Sequence, residues 1–338
     1  MITDDTRPAG SGDTPHARQH WPKPALVLSR CLELEPVRYN GQVVPYDFVR
    51  ELRPWVTLVP VCPEVEIGLG VPRDPVRIVA VDGEARLLQP DTGRDLTEAM
   101  SEFAGEFLPG LEAVDGFILK NRSPSCGIGD VKIYQGLEAS ASAERGAGFF
   151  GGAVQRMYPG LAIEDEGRLR NYRIREHFLT KLFALARLRA QVPTGGMRHL
   201  IEFHAQHKFL LMAYDQERLR ALGRIVANAE GAGFPTLLAR YRDAFEAAVA
   251  QPPRASAVVN VLEHMSGYFS DRVSGDEKAF FRRSLQRYRD GGLPLAAVAS
   301  VLRAWAVRFE SAYLLPQAFF DPYPAELMKV SDSGKGRI

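Results

Sequence analysis

The sequence predicts an α/β fold, an N-terminal largely parallel sheet with flanking helices, followed by an all-α C-terminal domain. Three observations carry this prediction. From Ala25 to about residue 160, short apolar runs alternate with amphipathic stretches; after Gly167 the apolar positions shift to helical spacing and strand-like runs vanish; Gly and Pro then punctuate the second half where turns between helices would fall. A chain of 338 residues is long for one compact core and suits two domains.

Taken in order, residues 1–22 are rich in Asp, Thr, Pro, Gly and His without apolar periodicity and are expected to form a flexible tail. Strands are expected at Ala25–Ser29, Val56–Val61, Val76–Val81 and Gly116–Leu119, and helices at Tyr46–Leu52, Asp95–Leu108 and Gly148–Met157. That alternation over residues 23–167 is the pattern of a layered parallel sheet. Residues 168–330 form the expected helical domain. There Leu179, Leu182, Phe183 and Ala186 follow the i, i+3, i+4, i+7 rule, and Leu200, Phe203, His207, Leu210 and Tyr214 nearly do. Similar patterns recur at residues 219–229, 238–245, 258–269, 281–288 and 295–309, with Pro193, Gly195 and Gly196 expected in a turn. Residues 331–338 are read as a second tail.

Hydrophobic residues at 46% and charged residues at 25% are ordinary globular proportions and exclude collagenous, disulfide-scaffold and wholly disordered chains. No apolar run is long enough to span a membrane, and the polar N-terminus lacks a signal-peptide core, so the protein is read as soluble and cytoplasmic. The net charge of +1 conceals an asymmetry. Residues 23–150 carry 13 Lys and Arg against 19 Asp and Glu, whereas residues 168–250 carry 14 against 7. An acidic half beside a basic one fits a reactive module beside a polyanion-binding one, and equally fits a set of solvated helix faces.

Three cysteines are too few for a disulfide framework, and each falls just beyond an expected strand: Cys31, Cys62 and Cys126. In an open parallel sheet, ligands bind beyond the carboxyl ends of the strands, so the three could meet at one edge. They can be read as small buried hydrophobes, as part of a zinc site, or as ligands of an iron-sulfur cluster. Zinc is disfavoured because no pair has the close spacing of zinc modules. A 4Fe-4S cluster normally takes four cysteines, so three would leave one iron open for a soft sulfur ligand.

The surrounding residues narrow this choice. Ser29-Arg30-Cys31-Leu32, Val37-Arg38-Tyr39-Asn40-Gly41, Val61-Cys62-Pro63-Glu64 with Gly68-Leu69-Gly70-Val71-Pro72-Arg73, and Leu119-Lys120-Asn121-Arg122-Ser123-Pro124-Ser125-Cys126-Gly127 occur in that order. Together they resemble the TudS-type thiouracil desulfurase family over roughly residues 24–165. Asn40 and Arg30 depart from that family's usual pattern. The second half, through Arg170-Asn171-Tyr172-Arg173, Phe203-His204-Ala205-Gln206-His207-Lys208 and His264-Met265-Ser266-Gly267-Tyr268-Phe269, resembles YbgA-type helical domains. Fused chains of this kind resemble RudS-type desulfidases, which act on 4-thiouridine in tRNA.

The resemblance implies a 4Fe-4S cluster held by Cys31, Cys62 and Cys126, and non-redox conversion of C=S to C=O with release of sulfide. It further implies Glu64 and Ser123 as catalytic groups. Glu64 can activate water or carry a proton; read alone, it can equally pair with Arg73 or Arg38, and Ser123 can simply make a turn. Arg38, Arg73, Lys120, Arg168, Arg170, Arg173 and Arg175 are candidate contacts to substrate or RNA, since guanidinium groups suit phosphate geometry. The expected partner is tRNA or a thiolated pyrimidine base or nucleoside. The competing class is a metal-stabilised binding module without catalysis. Among the histidines, His207 falls within an apolar stripe and is expected in the core. Oligomeric state and the identity of the base are not legible.

Overall fold

The computed structural model describes residues 21–136 and 143–329. Both expected tails lie outside the described residues except Trp21 and Pro22. Trp21 packs edge-on against Phe183 with ring centroids 5.7 Å apart, and the Arg187 guanidinium lies 3.9 Å from its centroid.

The N-terminal half runs β1 (Ala25–Ser29), α1 (Asp47–Leu52), β2 (Thr57–Val61), α2 (Pro63–Glu66), β3 (Arg77–Val81), β4 (Glu84–Gln89), β5 (Arg94–Asp95), α3 (Thr97–Phe107), β6 (Gly116–Leu119), β7 (Val131–Tyr134), β8 (Ala143–Gly146), α4 (Phe149–Met157) and β9 (Ala162–Asp165). Four of these strands form an all-parallel sheet in the order β2-β1-β6-β9. Parallel sheets need cover on both faces, and β1 is apolar on both. Leu26 and Leu28 point to one side and join Val49, Leu52, Phe178 and Leu182; Val27 points to the other and joins a core containing Met100, Phe117 and Phe150.

The other five strands form a second sheet, β5-β4-β3-β7-β8, in which only β3 and β7 run parallel. The strand expected at Val76–Val81 is therefore present but belongs to this sheet. Its place in the parallel sheet is taken by β9, whose polar Glu164 and Asp165 hide it from an apolar-run criterion.

The second half is helical: α5 (Tyr172–Gln206), α6 (Lys208–Tyr214), α7 (Gln216–Ala227), α8 (Phe234–Ala248), α9 (Ala255–Gly267), α10 (Gly275–Arg289) and α11 (Leu295–Arg308). Asn171 caps α5, its side chain accepting the Ile174 N–H. Pro193 and Gly195 do not form an open turn. The helix runs on through them, and the break is confined to Gly196, whose φ of 61° and ψ of −146° are non-helical. The first half of α5 packs on the parallel sheet. Gly116 permits this: a Cβ there would stand 2.6 Å from the Ala162 carbonyl oxygen and 2.8 Å from a Leu182 methyl. Arg189 then fastens α5 to the sheet by gripping both oxygens of buried Asp115, which also accepts the Ala25 N–H. Beyond the break, α6, α9, α10 and α11 enclose a separate core containing Phe209, Leu262, Phe269, Phe281 and Trp305. Among the described residues no helix is long and apolar enough to cross a membrane.

Candidate active site

The strand order places β1 between β2 and β6, so the chain leaves β1 toward one neighbour and reaches the other only later. Such a reversal opens a crevice at the carboxyl ends of the strands. Cys31 follows β1, Cys62 follows β2 and Cys126 lies in the loop after β6, on three adjacent strands. All three are buried free thiols. Their charges are felt mutually: Cys62 disfavours the Cys31 thiolate, and Cys31 and Cys62 both disfavour that of Cys126. Burial is the larger cause in each case and pushes Cys31 up to about 12, Cys62 up, and Cys126 well up. Lys120 and Arg38 oppose the shift at Cys31, Arg73 and Arg30 oppose it at Cys62, and a hydrogen bond from Ser29 opposes it at Cys126.

Glu64 sits in the first turn of α2, two residues after Cys62. Its Oε2 accepts from Arg73 Nε at 2.8 Å and Nη2 at 2.7 Å, and its Oε1 accepts the Ser125 hydroxyl at 2.9 Å. Arg73 also donates to the carbonyls of Val37 and Gly70, both at 3.0 Å, and its side chain is only 4% exposed. It therefore stands behind Glu64 and offers no open face to a substrate. Ser123 Oγ accepts the backbone N–H groups of Ser125 at 3.3 Å and Cys126 at 3.1 Å, which leaves its own hydrogen free to donate.

The loop carrying Cys126 is held from outside by the start of α4. Gly148, Phe149 and Gly151 donate their N–H groups to the carbonyls of Gly127, Pro124 and Ser125 at 2.7, 3.0 and 2.9 Å. The backbones approach so closely that a Cβ on Gly151 would lie 2.3 Å from the Gly127 oxygen.

The remaining candidates divide. Lys120 pairs with Glu166, which also accepts the Asn121 N–H, and Arg38 lies over the Tyr39 ring. Arg168 pairs with Glu164 at 2.7 Å, whereas Arg170 and Arg173 are exposed. Arg175 is buried, donating to the Leu169 and Lys329 carbonyls, so it is a structural tie between chain segments and not a surface contact. Sequence reasoning missed Ser125, Ser29 and Glu166. Ser125 had a signal, its place beside Cys126, but two serines flank Pro124 and the sequence does not say which faces the carboxylate.

Among the described residues the histidines do not gather into a metal-sized cluster. His207 is buried, donates from Nδ1 to the Phe203 carbonyl at 2.8 Å and stacks on the Phe203 ring. His177 and His204 bond instead to the Tyr214 and Tyr241 hydroxyls.

The family model described as 2-thiouracil desulfurase matches residues 26–166, and that of a protein of unknown function, DUF1722, matches residues 208–324. The uncharacterized protein YbgA of Escherichia coli strain K12 is 26% identical over 148 residues, 43% of this chain and 88% of that protein. The uncharacterized protein YbbK of Bacillus subtilis strain 168 is 34% identical over 118 residues, 33% of this chain and 77% of that protein. The solved structure of a [4Fe-4S]-dependent thiouracil desulfidase, TudS, is 28% identical and is covered over 93% of its length, 44% of this chain, with a TM-score of 0.35. The chain belongs to the 2-thiouracil desulfurase family of enzymes and joins that family's α/β module to a YbgA-like DUF1722 region.

Proposed function

We propose that this enzyme replaces the sulfur of a thiolated pyrimidine by oxygen, most specifically 4-thiouridine in tRNA, with Cys31, Cys62 and Cys126 holding a 4Fe-4S cluster. The observation that carries the reading is the convergence of three buried thiols on adjacent strand ends beside a clamped carboxylate. The donor set fits the group. Among the described residues no three His, Cys, Asp or Glu side chains stand close enough to enclose a single ion. A four-iron cluster is larger than one ion and takes ligands that stand farther apart. Lys120, Arg38, Arg73 and Arg30 lie where they would offset the negative charge of three thiolates. Free thiols also suit the reducing cytoplasm in which we place the protein.

When bound, the cluster supplies a soft, Lewis-acidic iron that polarises a thiocarbonyl. The chain's own residues do the rest. Arg73 engages Glu64 Oε2 with two hydrogen bonds and Ser125 engages Oε1 with one, leaving Oε1 a lone pair with which Glu64 takes a proton from water as the water oxygen bonds to the ring carbon. Ser123 donates its hydroxyl hydrogen to orient the pyrimidine. The C–S bond then breaks and the sulfur leaves with the protons as hydrogen sulfide, so that one water is consumed, C=O replaces C=S and no electrons are exchanged.

We divide the chain into a desulfidase domain, residues 23–167, and a helical domain, residues 168–330, that docks RNA. Support for the RNA comes from the basic opening of the second half, where Arg170 and Arg173 are exposed. The test is anaerobic reconstitution with iron and sulfide, followed by loss of 4-thiouridine absorbance in tRNA and sulfide release from free thiouracil. We expect about four irons per chain, lost in Cys31→Ala, Cys62→Ala and Cys126→Ala, and Glu64→Gln to keep its iron and lose turnover. Iron-loaded protein that releases sulfide from neither substrate would end this reading.

A further inference from the structure

A cavity of about 340 Å³ opens between the second sheet and the loop that leads into Cys126, and it is lined by residues that the desulfidation chemistry does not use. Arg77 lies in β3, Lys132 and Tyr134 in β7, Arg145 in β8, and Arg122 immediately before Ser123. Against these four cations the described lining offers a single carboxylate, Asp130. That carboxylate holds two of them in place, Arg122 at 3.0 Å and Arg145 at 2.8 Å, and Arg145 also donates to the Asp130 carbonyl. The ring of Tyr134 lies beside the other two, Arg77 at 5.3 Å and Lys132 at 5.9 Å from its centroid. Even with Arg77 set aside, three cations around one carboxylate give the concavity a net positive charge, which attracts and orients anions.

Arginine forks and a lysine in one concavity match phosphate oxygens, which accept several charge-assisted hydrogen bonds at once. The wall of the cavity includes Pro124, with Ser123 and Ser125 on either side of it. Both chain neighbours of the candidate catalytic serine, Arg122 and Pro124, therefore line the cavity, which keeps an anion bound here close to Ser123. A free pyrimidine base carries no such anion. Accepting the desulfidation reading above, we infer that this cavity binds a phosphate group of the nucleotide or strand that carries the thiolated base, and so anchors it beside the reacting centre.

The test reads binding, not turnover, in the full-length, iron-loaded protein. The probes are uridine 5′-monophosphate and a labelled single-stranded oligouridylate, which carry phosphate and no reactive sulfur. The double variant Arg122→Gln/Arg145→Gln should bind the strand on the order of tenfold more weakly at about 50 mM salt, and the slope of log affinity against log salt should fall by about 0.7 for each phosphate that is no longer neutralised. Lys132→Gln, a single change on a different strand, should reduce the slope independently. Far-UV circular dichroism and iron content identify any variant that has not folded. Weakening of both probes assigns the cavity to any nucleotide phosphate, and weakening of the strand alone assigns it to the backbone of an RNA. Unchanged affinity and unchanged slope in folded variants overturn the inference. That result leaves the desulfidation reading standing or falling on sulfide release by the wild type.

Discussion

Glu64 and Arg73 form a charge pair at the reacting centre that is shielded from solvent, with side-chain exposures of 13% and 4%. Charges so placed are tolerated when they are paired and their remaining valences are satisfied, and here Arg73 has two carbonyl acceptors besides Glu64. Removing one partner is costly because the other stays buried and uncompensated. We expect Arg73→Met to destabilise the protein by about 3 kcal/mol in urea denaturation. Arg73→Lys keeps the charge but has one nitrogen for a two-point grip, so it should fall between the Met variant and the wild type. A Met variant as stable as wild type would mean that the pair contributes nothing to the fold. At this scale the sequence was legible where chemistry is local: the cysteines after strands, and Glu64 within reach of Arg73. It was silent on Ser125, whose approach to Glu64 is set by a loop held by residues more than twenty positions away.

Elements show the same boundary between local and distant causes. β1 and β6 match the expected Ala25–Ser29 and Gly116–Leu119 to the residue, because central parallel strands are buried on both faces and read as unbroken apolar runs. β4, β7 and β9 carry charged residues within them, so their strand character comes from partners and not from composition. Gly148 and Gly151 look like ordinary helix-weakening glycines until α4 is seen against the cysteine loop. The close approach requires the missing side chain. We expect Gly151→Ala to force α4 off that loop, lowering the melting temperature and releasing iron from the reconstituted protein faster than in the wild type. Gly105→Ala in α3 is the control, since a Cβ there meets nothing within 4 Å and should stabilise slightly. Equal effects of the two substitutions would show that the close approach of α4 is not what holds the loop.

For the molecule as a whole, α5 belongs to both halves. Phe178, Leu179, Leu182 and Phe183 bury themselves on the sheet, whereas Leu200 and Phe203 pack with Leu237 and Phe245 beyond it. A fragment ending at Gly167 would therefore expose one face of the parallel sheet, and we expect it to aggregate where a fragment extended to about residue 194 stays soluble on size exclusion. The same helix carries buried bases that make stability depend on pH. Burial holds His207 down to about 3 and His177 down to about 4, from an ordinary value of 6.5. Arg187 and His204 add to the effect at His207, and Lys181 adds to it at His177. Between about pH 6.5 and pH 4 the unfolded chain takes up a proton at each histidine that the folded chain refuses, so stability falls as pH falls, by about 1.4 kcal/mol per unit for each. Glu164 and Glu176, raised by burial, act in the opposite sense, so the wild-type profile alone does not isolate the histidines. The difference between wild type and His207→Leu does. Phe203 keeps a backbone partner in that variant, the His207 N–H at 3.0 Å being retained by any residue at the position. The stability of the wild type relative to the variant, from urea unfolding followed by circular dichroism, should fall as pH falls from 7 to about 4 by close to one histidine's share, and parallel profiles would place the ring in a protonatable, wetter environment than its burial implies.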